Sequence, residues 1–132
     1  MNNTAPKPTF VFVAASWLAL AAGLGAYVVG LWNSTLPLNE RGYYLTVMLF
    51  GLFAAVSLQK SVRDRMAGIP VTGLYYGLCW GAVLAAIALL SVGLWNATLP
   101  LTDKGFYGMS FVLSLFATVA IQKNVRDAAH VE

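Results

Sequence analysis

A segment of 15 residues occurs twice in this chain, and its two copies align without an insertion or a deletion. The first copy, GLWNSTLPLNERGYY, covers residues 30–44, and the second, GLWNATLPLTDKGFY, covers residues 93–107, so equivalent positions differ by 63. Self-similarity at a long fixed period indicates a chain built from repeated structural units. The sequence therefore predicts two copies of one unit, residues 10–68 and 69–127, between an N-terminal tail, 1–9, and a C-terminal tail, 128–132.

Charged residues are rare and leave long uncharged stretches. Of the 132 residues, 59% are hydrophobic and 10% are charged, whereas ordinary soluble domains are about 25% charged. About 20 apolar residues cross the hydrocarbon core as a helix. Each of the two shorter stretches holds one such span, and each longer one holds a span plus the repeated loop with its proline. The sequence predicts an all-α membrane protein with four transmembrane helices, formed by two tandem helical hairpins of the same orientation. The uncharged stretches are residues 8–39, 42–59, 66–102 and 105–122.

Proline, glycine and capping residues set the limits of the predicted helices. The first apolar run is too long for the hydrophobic part of a cleaved signal peptide, so we expect it to be a retained helix. Asn39 and Thr102 are good N-cap residues, which predicts that the second and fourth helices begin near Glu40 and Asp103. The predicted helices are residues 10–31, 40–65, 71–94 and 103–127.

Lysines and arginines are distributed unevenly between the two ends of the predicted bundle. Only two of the eight, Arg41 and Lys104, lie at the end that carries the repeated segments. Lysine and arginine are usually in excess on the cytoplasmic side of a membrane, so the opposite end is expected there. We therefore expect both termini in the cytoplasm and a pseudo-two-fold axis along the membrane normal. The net charge of +3 does not indicate nucleic-acid binding, because the cations flank membrane spans and form no patch with interleaved aromatic residues. The other six cations lie at the opposite end: Lys7, Lys60, Arg63, Arg65, Lys123 and Arg126.

The order of short motifs resembles the YiaA/YiaB family of bacterial inner-membrane proteins. Gly-Leu-Trp-Asn is followed by a loop, by Gly-Tyr-Tyr or Gly-Phe-Tyr, and by Gln-Lys-x-Val-Arg-Asp, and this order occurs twice within residues 10–127. The chain resembles in particular the longer form, in which the two-helix domain is duplicated. The resemblance implies a multi-pass location in the bacterial inner membrane. It implies no catalytic residue and no substrate.

The two Gln-Lys-x-Val-Arg-Asp ends are the main candidates for a functional site. Their basic residues are suited to orienting and capping the helices, or to contacting lipid phosphates or an acidic partner, at about 1 kcal/mol per residue near anionic lipid. Orientation alone does not require the recurring aspartate. We therefore predict that each arginine pairs with an aspartate, which the neighbouring repeat can supply, and so ties the second and fourth helices together. The candidate residues are Lys60, Arg63, Asp64, Lys123, Arg126 and Asp127.

Three further patterns concern the interface and helix packing. Tryptophan favours the headgroup zone and asparagine caps nearby backbone, which predicts an interfacial loop at each repeated segment, with ligand recognition as the alternative. Small residues spaced by four let helix backbones approach closely in lipid. The loop residues are Trp32, Asn33, Trp95 and Asn96; the glycine strip predicted to pack is Gly73, Gly77 and Gly81; and a second small-residue row is Ser110, Ser114 and Thr118.

No convergent set of titratable groups indicates an enzyme, a cofactor or a metal site. His130 is the single histidine and lies three residues from the end, and Cys79 is the single cysteine and lies in an apolar span. Two function classes remain open. The first is a non-enzymatic scaffold or accessory protein that forms a homo-oligomer, in contact with the lipid bilayer and with a membrane-protein partner as an open alternative. The second is a small oligomeric channel or passive transporter, for which the serine row is the candidate polar path.

Overall fold

The computed structural model describes residues 7–131, and within them the chain forms four long helices. Each helix is long and apolar enough to cross a membrane, so the four-span architecture of a membrane protein is confirmed. The predicted N-terminal tail lies mostly outside the described residues, whereas most of the predicted C-terminal tail continues the fourth helix. The helices are α1 (Phe10–Trp32), α2 (Leu38–Met66), α3 (Gly73–Asn96) and α4 (Leu101–Val131).

The first helix of each repeat begins in a different way from the second. α1 and α3 are capped by equivalent threonines, Thr9 and Thr72, whose hydroxyls each accept a backbone N–H bond at 3.1 Å. The prediction that Asn39 and Thr102 cap α2 and α4 was wrong, because both residues lie inside the first turn. Each of these helices begins directly after a proline, whose fixed φ is compatible with a helix start.

The first helix of each repeat packs against the second helix of the other repeat. α1 lies chiefly against α4, α3 lies chiefly against α2, and α2 and α4 meet along the centre of the bundle. The two helices that belong to one repeat touch each other little. The repeats are therefore interlocked, and contacts between the repeats carry most of the packing.

The repeated glycine of Gly-Leu-Trp-Asn provides one of these contacts between repeats. A Cβ atom at Gly30 would lie 3.0 Å from the Phe106 ring and 3.2 Å from the Tyr107 ring. A Cβ atom at Gly93 would lie 2.8 Å from the Tyr43 ring, so the same contact is made twice. The glycine and the aromatic pair recur together because each glycine receives the aromatic pair of the other repeat.

The predicted glycine strip on α3 makes no contact within the chain. No other residue approaches within 4 Å of a Cβ position at Gly73, Gly77 or Gly81. Among the described residues, close helix contact occurs instead at Gly23 and Gly51, besides the two motif glycines. The strip therefore faces outward, and its contact with a second chain stays a prediction.

Candidate functional site

The charged ends of α2 and α4 extend beyond the apolar part of their helices. α2 has 29 residues, and at about 1.5 Å per residue it is about 43 Å long, whereas the hydrocarbon core is about 30 Å thick. Its uncharged stretch, 42–59, is followed by about two more helical turns that carry the motif. The charged residues of α2, and by the same spacing those of α4, therefore lie in the headgroup layer at one end of the bundle.

Two arginine–aspartate pairs connect these ends and are related by the repeat. Arg63 Nη2 donates to Asp127 Oδ1 at 2.6 Å, and the equivalent Arg126 Nη2 donates to Asp64 Oδ1 at 2.5 Å. Each pair joins one repeat to the other. This confirms the predicted pairing of arginine with aspartate and shows that the aspartate comes from the other repeat. We call this set of four residues and their two lysine neighbours the charge clamp: Lys60, Arg63, Asp64, Lys123, Arg126 and Asp127.

Each aspartate of the charge clamp also accepts from a lysine one turn earlier on its own helix. Lys60 Nζ donates to Asp64 Oδ2 at 2.9 Å, and Lys123 Nζ donates to Asp127 Oδ2 at 2.8 Å. Both oxygens of each carboxylate are thus occupied, one by each repeat. The lysine side chains are 59% and 52% exposed, so they remain open to lipid or to a partner.

Burial and hydrogen bonding shift the pKa of each aspartate in opposite directions, since burial raises it and hydrogen bonds lower it. Their side chains are 9% and 5% exposed, while the arginines are 26% and 21% exposed. For Asp64, hydrogen bonds from Lys60 and then Arg126 hold the pKa of the carboxyl below its usual range. For Asp127, burial raises the pKa, but the hydrogen bonds from Lys123 and Arg63 outweigh it and the pKa is lowered. Both carboxylates are charged at neutral pH, so the pairs are ionic.

A second pair of polar contacts attaches the outer helices at the same end. Asn124 Nδ2 on α4 donates to Ser16 Oγ on α1 at 3.3 Å, and Ser61 Oγ on α2 lies 3.4 Å from Cys79 Sγ on α3. These four residues are equivalent by the offset of 63. Sequence reasoning missed them, although polar residues at equivalent positions in otherwise apolar helices were a usable signal. Cys79 is buried.

The sequence matches a known family model in both repeats. The model described as the yiaA/B two helix domain matches residues 12–64 and again residues 75–127, so the two matches end at the two aspartates of the charge clamp. The chain belongs to the YiaA/B two-helix domain family. Both of its domains carry the complete charge-clamp motif, and each domain's arginine needs the other domain's aspartate.

Three relatives are similar to this chain over different lengths. The inner membrane protein YiaA of Escherichia coli (strain K12) is 52% identical over 128 residues, which cover 97% of this chain and 88% of that protein. The inner membrane protein YiaB of the same strain is 27% identical over 79% of this chain and 88% of that protein. The uncharacterized membrane protein YubF of Bacillus subtilis (strain 168) is 37% identical over 66 residues, which cover 49% of this chain and 76% of that protein. No solved structure matches the chain.

The interfacial loops lie at the opposite end of the two-helix domains from the charge clamp. Trp32 and Trp95 are exposed there, and Asn96 Nδ2 caps its own helix by donating to the Val92 carbonyl at 2.9 Å. The first loop is held by Arg41, which donates to the carbonyls of Leu36 and Ser34, both at 2.8 Å. The prediction that the two tryptophans and two asparagines are loop residues was wrong for three of them, because Trp32, Trp95 and Asn96 lie in the last turns of α1 and α3, while Asn33 follows α1 directly. They form a site separate from the predicted charged residues. Sequence reasoning did not identify the role of Arg41.

The serine row of α4 faces another helix. Ser110 and Ser114 are buried, and a Cβ atom at Gly23 of α1 would lie 2.7 Å from Ser114 Oγ. Their hydroxyls donate to the carbonyls of Phe106 and Ser110, at 2.8 Å and 2.7 Å, so each is satisfied by its own helix. The row therefore allows α1 to approach α4 closely. Within the described part of the chain, no group of three His, Cys, Asp or Glu side chains is placed to hold a metal ion.

Proposed function

We propose that this chain is a non-enzymatic scaffold or accessory protein of the bacterial inner membrane that assembles with copies of itself. The inner-membrane location is supported by the names of two relatives, YiaA and YiaB, and by the four apolar helices. The observation that carries the proposal is the use made of polar side chains: the charge clamp ties α2 to α4, and the small buried serines let α1 pack closely against α4. Groups committed in this way stabilise a fixed structure.

The alternative, a small channel or passive transporter, needs a path lined by polar groups. The serine row was the candidate for that path, and Ser110 and Ser114 lie in the contact between α1 and α4. This position supports the scaffold over the channel, because a hydroxyl closed between two helices and bonded to its own backbone offers nothing to a passing solute.

We place both termini in the cytoplasm. The described chain begins and ends at the same end of the bundle as the charge clamp. That end carries six of the eight lysines and arginines, the four of the clamp together with Lys7 and Arg65. The cytoplasmic side usually carries that excess. A green fluorescent protein fused after Glu132 should fluoresce, alkaline phosphatase fused there should be inactive, and phosphatase inserted between Ser34 and Thr35 should be active. Active phosphatase at the C-terminus would reverse the assignment.

Self-assembly is assigned to the outward face of α3, where Gly73, Gly77 and Gly81 are spaced by four. Small residues at this spacing allow a second helix backbone to come close. Gly77→Leu should abolish the oligomer detected by native mass spectrometry or by cross-linking in membranes. Gly25→Leu on α1, where a side chain also meets open space, is the matched control and should leave it intact. Equal assembly of wild type and Gly77→Leu would reject this face, and an oligomer that conducts ions across vesicles would favour the channel.

A further inference from the structure

An apolar groove runs along the outside of the bundle between α3 and α4. It consists of two adjoining cavities of about 600 and 740 Å³, which share lining residues. The half nearer the charge clamp has α2 as its floor, and the other half reaches Gly105 near the start of α4. The groove therefore spans the depth of the bundle and opens sideways, toward the hydrocarbon of the membrane. The shared residues are Ile87, Phe111, Val112 and Phe116.

The two repeats differ at positions that line the groove. Gly108 and Leu90 line it, and the equivalent positions in the first repeat hold the larger residues Leu45 and Tyr27. Tyr27 is fully buried, and its hydroxyl donates to the Tyr44 carbonyl at 2.7 Å. The cavity found on the first-repeat side is about 390 Å³ and is lined by α1 alone. The two repeats thus fill equivalent positions with side chains of different size.

Three residues with polar side chains border the end of the groove at the charge clamp: Gln59, Arg63 and Trp80. Gln59 Oε1 is buried and, among the described residues, has no hydrogen-bond donor. Within the same part of the chain, the Arg63 guanidinium makes one hydrogen bond, to Asp127, so it retains donors for an anion. The four cations of the charge clamp exceed its two aspartates by two, so this end attracts negative charge.

We propose that the groove binds an anionic glycerophospholipid of the phosphatidylglycerol type. One acyl chain lies along the groove, the phosphate accepts from Arg63, and a headgroup hydroxyl donates to Gln59 Oε1. The apolar walls match an acyl chain, the surplus of cations matches the phosphate, and the unpaired Gln59 oxygen matches a hydroxyl donor. The glycine strip borders the groove on α3, because Gly77 lies three residues before Trp80, so the lipid titrations use variants outside the strip.

Native mass spectrometry of the detergent-purified protein, titrated with lipids of identical acyl chains, tests the headgroup. We expect phosphatidylglycerol to bind about five-fold or more tightly than phosphatidylcholine, since one basic residue near anionic lipid contributes about 1 kcal/mol and the choline headgroup has no hydroxyl or N–H donor. Equal affinities for the two lipids would overturn the proposal.

The two repeats supply the control for the site itself. Gln59→Leu should weaken phosphatidylglycerol binding about five-fold, the usual effect of one hydrogen bond, and Gln122→Leu at the equivalent position should leave it unchanged. Gly108→Leu places in the groove the leucine that the first repeat has at the equivalent Leu45, and it should weaken the binding of both lipids. Gly42→Leu, at an open position outside the groove, should leave their binding unchanged. If Gln59→Leu also lowers the melting temperature, the lipid affinity of Gly108→Leu becomes the test of the groove. Equal binding by Gly108→Leu and wild type, or a loss of self-association in place of lipid binding, would reject the lipid as occupant.

Discussion

Replacing Gly23 with leucine should separate α1 from α4 and lower the melting temperature in detergent by about 10 °C. A Cβ atom at this position would lie 2.7 Å from Ser114 Oγ, 3.0 Å from Ser114 N and 3.1 Å from the Ser110 carbonyl oxygen. Two of these atoms belong to the α4 backbone and cannot turn aside as a flexible side chain can. Overpacking of this kind costs about 1–3 kcal/mol, and each kcal/mol lowers the melting temperature of a domain of this size by roughly 3–6 °C.

Two controls separate the contact at Gly23 from a general intolerance of α1. Gly25→Leu places the same side chain two residues away, where no atom lies within 4 Å, and should change the melting temperature by less than about 2 °C. Gly23→Ala should also lower the melting temperature, and adding Ser114→Ala to it should recover part of that loss, because the nearest atom, Ser114 Oγ, is removed. Intrinsic tryptophan fluorescence during heating measures all four variants. Equal melting of Gly23→Leu and Gly25→Leu would show that α1 does not lie against α4 at Ser114.

The contrast between Gly23 and the glycine strip of α3 shows what the sequence could not predict. In lipid, apolar side chains do not mark the faces that pack, because hydrocarbon surrounds every helix. Small residues indicated close approach, but three of the glycines singled out face outward, while Gly23 packs. Which face of a helix meets which neighbour depends on the interlocking of the repeats, and no local pattern in the sequence specified that arrangement.

The charge clamp was predictable because its signal was duplicated and complementary. An arginine and an aspartate recur in both repeats at the end of an apolar span, and charges at that depth favour a partner. The groove was not predictable, since it depends on how Tyr27 and Leu90, which are equivalent in sequence, differ in the space that they fill. The helix starts after Pro37 and Pro100 were missed because the prediction relied on side-chain caps, whereas the chain uses the proline itself.

The combined change Asp64→Asn and Asp127→Asn should lower the melting temperature by about 5–10 °C. It removes the negative partner of both arginines while preserving the size of the side chains, and an arginine left near a half-buried site without its partner is strongly destabilising. Lys60→Ala is the matched control, because Lys60 is largely exposed and exposed ion pairs contribute little to stability. A loss from Lys60→Ala equal to that from the double asparagine variant would mean that the pairs between repeats do not hold α2 to α4.

Acid should reproduce the loss of the charge clamp in the wild type. Since the pKa of both aspartates is lowered in the folded chain, the stabilisation is fully present above the unfolded value, about 3.9, and is lost as the pH falls through the folded values. The melting temperature should therefore stay level from pH 8 to about pH 5 and fall below about pH 4. The double asparagine variant should start lower and fall less over the same range, because it lacks the two carboxylates whose protonation breaks the pairs. An equal fall in both proteins would assign the acid sensitivity to carboxyl groups outside the clamp.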